Sequence, residues 1–191
     1  MKLTLFPAPA AHKPLLPDDR VNSSYWRLKL QVFAGIFLGY TAYYFVRKNF
    51  SFAIPDLIKQ GFTKAQLGVA LSALSIAYGF SKFLMGNVSD RSNARIFLPI
   101  GLTLSALTMV LMGVFPFATS SVTIMFILLF INGWFQGMGW PPCGRVVVHW
   151  YSIKERGRAM SIWNLAHNVG GFLVGPLTIW AIEIFAAWES K

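Results

Sequence analysis

The sequence predicts an all-α membrane protein with about five membrane-spanning helices. Apolar residues make up 55% of its 191 residues and charged residues only 13%, with a mean hydropathy of +0.52, whereas a soluble domain of this length is far more polar. The apolar residues are grouped in long runs, each close to the ~20 residues that cross ~30 Å of hydrocarbon. These runs cover about residues 30–54, 67–88, 96–117, 124–148 and 160–188.

Residues 1–29 form a polar leader that we expect to be cytoplasmic. Four prolines, the pair Asp18-Asp19 and five basic residues leave no apolar core of signal-peptide length. Span one then extends from Leu30 to about Ile54, and Pro55-Asp56 is expected to end its helix.

The next three spans are separated by short polar segments. Span two is rich in small residues and is followed by a tight polar turn at residues 90–95, and a polar linker at residues 119–123 precedes span four. Within span four, Gly133 and Gly137 have the spacing at which small residues let membrane helices pack closely. Pro141-Pro142 is expected to kink or break that span. A charged linker, residues 149–158, leads to span five.

The distribution of positive charge predicts the orientation, because lysine and arginine accumulate on the cytoplasmic side of membrane proteins. Eleven of the 17 lysine and arginine residues lie in the leader and in the second and fourth loops: Lys2, Lys13, Arg20, Arg27, Lys29, Arg91, Arg95, Arg145, Lys154, Arg156 and Arg158. The opposite side has only Lys59, Lys64 and the terminal Lys191. We therefore expect a cytoplasmic amino terminus. The net charge of +10 then reflects topology rather than nucleic-acid binding, which needs basic residues clustered with interleaved aromatics.

Three cations lie inside predicted spans, where each costs about 2.5 to 3.5 kcal/mol near a helix centre. Lys48 lies past the middle of span one, and its long side chain can reach the interface by snorkelling. Arg47 is different, because Tyr40, Tyr44 and Arg47 fall at i, i+4 and i+7 on one helical face. This spacing indicates a functional role for Arg47.

Spans two and five contain comparable polar positions. A similar spacing on one helical face occurs in span two, where the positions i, i+3 and i+7 are Ser75, Tyr78 and Lys82. In span five, Asn164 and His167, together with Asn168, share one face beside Trp163, and hydrocarbon does not satisfy such groups. A neutral His167 bonded to a neighbouring helix is one explanation. The other is a histidine that titrates near pH ~6.5, close to the second pKa of phosphate at ~6. For Trp134, Trp140 and Trp163, packing or anchoring at the membrane interface is the alternative to a binding role.

These cations and aromatic residues together predict an anion site suited to phosphate. No acidic residue occurs in residues 30–52 or 65–88, arginine can bind phosphate through two parallel bonds, and lysine adds a compact charge. A catalytic function is not expected, because the sequence has no HExxH or paired-aspartate metal site and its acidic residues lie mostly in loops. No cofactor is expected, and the single cysteine, Cys143, excludes an internal disulfide. A gated binding site between helices fits best.

Several motifs resemble a known family. Residues 86–95 (GNVSDRSNAR) look like the loop motif between the second and third helices of the major facilitator superfamily. The run Arg156-Gly157 with Trp163-Asn164, His167-Asn168 and Gly170-Gly171 is similar to the signature of the organophosphate:phosphate antiporter family. Residues 133–144 resemble the fourth-helix segment of its glycerol-3-phosphate transporters, and residues 40–50 and 77–83 also match. The chain therefore resembles the amino-terminal half of a major facilitator fold.

The resemblance implies an antiporter of the bacterial inner membrane that imports glycerol 3-phosphate in exchange for inorganic phosphate, by a rocker-switch movement of two six-helix halves. It implies that Arg47 is the phosphate-binding arginine of the amino-terminal half. It places Lys82 and His167 in or near the substrate site, which is lined by Tyr40, Tyr44, Tyr78, Trp140, Trp163 and Asn164. By the same resemblance, the gate or structural residues on the cytoplasmic side are Asp90, Arg91 and Arg95.

Family members have twelve helices and a second basic residue from the carboxyl-terminal half, whereas this chain has about five spans. Because alternating access needs two halves, we expect that this polypeptide alone does not transport. It is then a truncated reading frame, one piece of a transporter with a separate carboxyl-terminal half, or part of a longer chain. The alternatives to a transporter are a membrane receptor that senses a phosphorylated ligand and a non-functional fragment. The sequence does not decide whether the substrate is glycerol phosphate or a hexose phosphate.

Overall fold

The computed structural model describes residues 18–189, and this part of the chain is almost entirely helical. The all-α prediction is confirmed. The helices are α1 (Asp18–Arg47), α2 (Asn49–Lys59), α3 (Lys64–Asp90), α4 (Ala94–Val114), a short 3-10 helix (Pro116–Thr119), α5 (Val122–Gln136), α6 (Trp140–Trp150) and α7 (Ile153–Glu189). Residues 1–17, most of the predicted leader, lie outside the described residues.

Three helical stretches are long and apolar enough to cross a membrane by length and composition. They are Lys64–Asp90, Ala94–Val114 and Val122–Trp150, the last of which comprises α5 and α6. These stretches correspond to predicted spans two, three and four. Helices α1 and α7, of 30 and 37 residues, correspond to spans one and five but contain more polar side chains. Their crossing of the membrane stays a prediction.

The first span differs from its prediction at both ends. Helix α1 already begins at Asp18, inside the predicted leader, and the chain bends at Lys48 before α2 continues to Lys59. The expectation that Pro55-Asp56 ends the helix is wrong, because Pro55 lies inside α2. Buried side chains on both sides of it, Phe50 and Leu57, pack into the core and hold α2 together despite the missing backbone donor.

The predicted break in span four is confirmed. Helix α5 ends at Gln136 and α6 begins at Trp140, with Gly139 as its N-cap residue. Pro141 and Pro142 lie in the first turn of α6, where a missing N–H is tolerated. Neither proline can donate to a carbonyl four residues earlier. The regular helix is therefore interrupted directly before the prolines, at residues 137–139.

Small residues bring the helices into close contact, as the glycine spacing predicts. A Cβ atom on Gly133 would lie 2.9 Å from the Cα atom of Leu74, and one on Gly137 would lie 2.8 Å from the backbone nitrogen of Lys82. Both contacts are with α3, so only glycine permits the observed approach of α5 to α3. A second close approach joins α7 to α1 at Gly170 and is described below.

The buried side chains form two clusters. One joins α2, α3, α4 and α5 and contains Leu67, Leu74, Met125 and Leu129 among others. The second joins α1, α4, α6 and α7 and contains Ile36, Tyr40, Tyr43, Cys143, Val147, Trp163 and Ala166. The second cluster supports the candidate site, because it includes two of the predicted site residues, Tyr40 and Trp163.

Candidate functional site

Two cations from different helices converge on one tyrosine ring. Arg47 is the last residue of α1, and its Cζ atom lies 3.9 Å from the centre of the Tyr78 ring on α3 and 5.7 Å from that of Tyr44. Lys82, one turn further along α3, has its Nζ atom 5.6 Å from the Tyr78 ring centre and 4.8 Å from that of Trp140. These distances are those of cation–π contacts. The rings thus hold two positive charges near each other.

An aromatic wall continues from these cations to α7. Ring centres are 5.8 Å apart for Tyr40 and Tyr44, 4.6 Å for Tyr40 and Trp163, and 6.4 Å for Trp140 and Trp163. The His167 ring lies 5.7 Å from that of Tyr44. The structure therefore brings together eight of the nine predicted binding residues, which we call the cation–aromatic cluster: Tyr40, Tyr44, Arg47, Tyr78, Lys82, Trp140, Trp163 and His167.

Close contact between α1 and α7 positions this wall. The Thr41 hydroxyl donates to the Ala166 carbonyl at 3.2 Å, and the Trp163 indole N–H donates to the Ile36 carbonyl at 3.3 Å. A Cβ atom on Gly170 would lie 2.6 Å from the Thr41 carbonyl oxygen. Since Thr41 lies between Tyr40 and Tyr44, this approach sets how far the two tyrosines stand from α7.

The structure describes the surroundings of three residues whose roles the sequence leaves open. Trp163 is fully buried, and its indole N–H makes a hydrogen bond, so it packs inside the cluster. Trp140 is 36% exposed and contacts Lys82. His167 is half-buried, and within residues 18–189 its side chain has no hydrogen bond to a neighbouring helix. Its described partner is the Tyr44 ring.

The remaining predicted residues lie apart from the cluster. Asn164 is exposed, although it follows the buried Trp163. Asp90 ends α3 and Arg91 is its C-cap residue, and both side chains are exposed, as is that of Arg95. Arg91 also lines an open pocket of about 520 Å³ along one face of α3, together with Phe83, Leu84, Asn87 and Val88. The role of Asp90, Arg91 and Arg95 as gate residues stays a prediction.

Arg145 on α6 is the residue that contacts the loop between α3 and α4. Its guanidinium donates to the Ser89 carbonyl and, at 2.6 Å, to the Ser92 carbonyl. Ser89 lies in the last turn of α3, where its carbonyl also accepts the backbone N–H of Ser92 at 3.0 Å, and Ser92 lies in the loop. Arg145 therefore adds a charged donor to this turn. In the sequence, Arg145 indicates only the orientation of the chain, because no local spacing connects it with residues 89–92.

A second contact that sequence reasoning missed lies at Lys29. Its side chain is only 4% exposed, and its Nζ atom is 3.2 Å from both carboxylate oxygens of Glu155. The same Nζ atom lies 4.3 Å, 4.8 Å and 5.2 Å from the ring centres of Tyr151, Trp26 and Tyr25. The ammonium group is thus enclosed by three rings and one carboxylate, and it ties α1 to the start of α7.

This enclosure changes the pKa of both partners. Burial lowers the pKa of Lys29, but the hydrogen bonds with Glu155 and Tyr25 outweigh it, so the net shift is upward from 10.5. The pKa of the Glu155 carboxyl is lowered from 4.5, first by the hydrogen bond from Ser152 and then by that from Lys29. The pair is therefore charged over the whole physiological pH range.

Comparison with known proteins identifies the family of the chain. Residues 36–190 match the family model described as the Major Facilitator Superfamily. The chain is 60% identical over 182 residues to the glycerol-3-phosphate transporter of Bacillus subtilis (strain 168), covering 95% of this chain and 41% of that protein. No solved structure matches the chain significantly.

Other relatives are named as a hexose phosphate transport protein and as a membrane sensor protein. A probable hexose phosphate transport protein of Chlamydia trachomatis is 44% identical, covering 97% of this chain and 40% of that protein. The membrane sensor protein UhpC of Escherichia coli (strain K12) is 38% identical, covering 94% and 40%. The chain spans about 40% of the length of the curated relatives it matches. On the family match and these identities, the chain belongs to the Major Facilitator Superfamily.

Proposed function

We propose that this chain is the organophosphate-binding, amino-terminal half of a secondary transporter that imports glycerol 3-phosphate in exchange for inorganic phosphate. The observation that carries the proposal is the convergence of Arg47 and Lys82 on Tyr78 from two different helices. Two such charges inside a membrane domain are costly unless an anion uses them. A phosphate group is the anion that this pair suits best.

Each member of the cluster then has a chemical task. The Arg47 guanidinium binds two phosphate oxygens through parallel hydrogen bonds, and Lys82 adds a third, charge-assisted bond. The rings of Tyr78 and Trp140 hold these cations in place without neutralising them. His167 lies next to Tyr44 and adds a polar ring to the wall of the site. The cluster thus binds and positions an anion, a transport task rather than a catalytic one.

Exchange by alternating access needs a second half that moves against this one around the site. We propose that a carboxyl-terminal half supplies it, in the same or a separate chain, and contributes a further basic residue. The proposed location is the bacterial inner membrane with the amino terminus in the cytoplasm, as the distribution of lysine and arginine favours. The 60% identity to a glycerol-3-phosphate transporter, against 44% for a probable hexose phosphate transport protein, favours glycerol 3-phosphate.

Transport is tested by joining the chain to the carboxyl-terminal half of the Bacillus subtilis relative. Proteoliposomes loaded with inorganic phosphate should then take up labelled glycerol 3-phosphate, and Arg47→Lys should reduce uptake by at least about tenfold, since lysine cannot form paired bonds. Lys59→Gln is the control, because the Lys59 side chain is 77% exposed and is paired with Asp56, which is not a member of the cluster. Uptake without dependence on internal phosphate would exclude exchange, and unchanged uptake by Arg47→Lys would exclude the assigned site.

A second candidate function is sensing of a phosphorylated ligand, which the 38% identity to a membrane sensor protein favours. The same vesicles distinguish it, because a sensor binds glycerol 3-phosphate with no flux. A non-functional fragment is the third possibility. It predicts that no folded chain is recovered from membranes, so abundant chain with a cooperative unfolding transition excludes it.

A further inference from the structure

At the break between α5 and α6, the end of α5 meets α1 and α4. Gln136 is the residue that bonds these three helices together. Gln136 is 3% exposed and ends α5. Its side-chain Nε2 atom donates to the Ser105 hydroxyl on α4 at 2.7 Å and to the Tyr43 carbonyl on α1 at 3.3 Å. One amide group therefore ties the end of α5 to both neighbouring helices.

The residues after Gln136 touch the elements that contribute the two cations. A Cβ atom on Gly137 would lie 2.8 Å from the backbone nitrogen of Lys82, and one on Gly139 would lie 3.2 Å from the Tyr43 ring. Trp140, the first residue of α6, then lies against Lys82. The break thus lies between the backbone of Lys82 on α3 and the ring of Tyr43, one turn before Arg47 on α1.

Backbone hydrogen bonds join this segment to α5, from the Gly137 N–H to the Gly133 carbonyl at 3.2 Å and from the Gly139 N–H to the Gln136 carbonyl at 3.3 Å. The two prolines at the start of α6 lack the backbone donors that would bond the segment to α6 in the same way. A discontinuous helix needs other bonds to hold its two parts in place. The Gln136 amide supplies two such bonds in a buried environment, where an unmade bond is costly.

We propose that Gln136 is a positioning residue that sets the placement of Trp140 against Lys82 and, through Tyr43, the placement of Arg47. The inference rests on the proposed function, in that the positioned cations are those assigned to phosphate. Gln136 itself does not touch the anion. It acts through the break segment and through the end of α1.

The first test measures binding of labelled inorganic phosphate by the 191-residue chain in lipid nanodiscs. Gln136→Met keeps the volume but removes both hydrogen bonds, and we expect it to weaken phosphate binding by about tenfold, equivalent to ~1.4 kcal/mol. The matched control is Thr108→Val. Thr108 accepts a hydrogen bond from Asn132 at 2.8 Å in the same buried polar group, whereas the hydrogen bonds of the Gln136 side chain within residues 18–189 go to Ser105 and Tyr43. This control should bind phosphate within about twofold of the unmodified chain.

A double-mutant cycle separates positioning from general loss of stability. If Gln136 acts through Trp140, Gln136→Met should weaken binding less in a Trp140→Leu background than in the unmodified chain. Equal effects in the two backgrounds overturn the inference, as does a Gln136→Met chain that binds phosphate normally. In both cases phosphate binding by the unmodified chain leaves the proposed function intact.

A second readout needs no phosphate. Spin labels at Leu38 on α1 and Val148 on α6, which are 65% and 48% exposed, report the distance between these helices. Gln136→Met should broaden or shift this distance distribution, and Thr108→Val should not. If the unmodified chain binds no phosphate, the proposed function fails and the distance decides whether Gln136 positions the break. An unchanged distribution overturns the inference in every case.

Discussion

The guanidinium carbon of Arg47 lies 3.9 Å from the centre of the Tyr78 ring, which joins the end of α1 to α3. The same ring is 5.6 Å from the Lys82 ammonium. Both cations therefore contact the Tyr78 ring, which makes this residue a direct test of the site.

Tyr78→Leu should weaken phosphate binding by about tenfold, because leucine offers neither cation a π face and each such contact is worth about 0.5 to 2 kcal/mol. Tyr78→Phe keeps the ring and should stay within about threefold of the unmodified chain. The measurement is the dissociation constant of labelled phosphate for the purified chain. Equal losses in the two variants would assign the effect to the hydroxyl group instead of the ring.

Gly170→Ala should destabilise the chain, since the added Cβ would lie 2.6 Å from the Thr41 carbonyl oxygen and 2.7 Å from the Tyr44 Cβ atom. Neither atom can move without shifting the α1 backbone, and overpacking of this kind costs about 1 to 3 kcal/mol. Gly171→Ala is the control, because a Cβ there meets no atom within 4 Å. Thermal unfolding in detergent should give a lower midpoint for Gly170→Ala alone. Equal midpoints would mean that α1 and α7 are not held at this distance.

Arg145→Met should loosen the turn between α3 and α4, because the Ser89 and Ser92 carbonyls lose their charged donor. Bonds to a charged group contribute about 1.5 to 3 kcal/mol each. Hydrogen exchange of the backbone amides of residues 89–95 should therefore become faster. The exposed Arg95 provides the comparison: Arg95→Gln should leave exchange in this segment unchanged, and equal protection in both variants would remove the role assigned to Arg145.

Local spacing predicted the features that depend on one helix. The i, i+4, i+7 pattern put Tyr40, Tyr44 and Arg47 on one face, and these residues do lie in the cluster. The glycine pair predicted a close helix approach, which the structure shows between α5 and α3, and the two prolines predicted the break before α6. Each of these inferences uses steric properties of residues that are neighbours along the chain.

Features that depend on two distant segments were beyond such reasoning. Lys29 and Glu155 are separated by 126 positions, and nothing in either local sequence indicates the other. Pro55 is a residue whose local sequence signal predicted the wrong structure. Its local tendency to end a helix is outweighed by the core contacts of Phe50 and Leu57, which no spacing rule contains.

The Lys29–Glu155 pair predicts a specific dependence of stability on pH. The pKa of Glu155 is lowered from 4.5, so its contribution is fully present above that value and is lost as the pH falls through the pKa of the folded state. The pKa of Lys29 is raised from 10.5, so its contribution is present below that value and is lost only as the pH rises through the folded pKa. Between these two values the pair should contribute a constant amount.

We therefore expect Glu155→Gln to lower the thermal unfolding midpoint by the same amount throughout roughly pH 6 to 9. The difference from the unmodified chain should shrink as the pH falls from about 4.5, where the unfolded carboxyl takes up a proton, to the lower pKa of the folded state, where the native carboxylate is protonated too. Asp56→Asn is the matched control. Its ion pair with Lys59 is exposed, at 64% and 77% for the two side chains, and such pairs contribute little. A Glu155→Gln difference as small as that of Asp56→Asn at neutral pH would show that the enclosed pair does not hold α1 to α7.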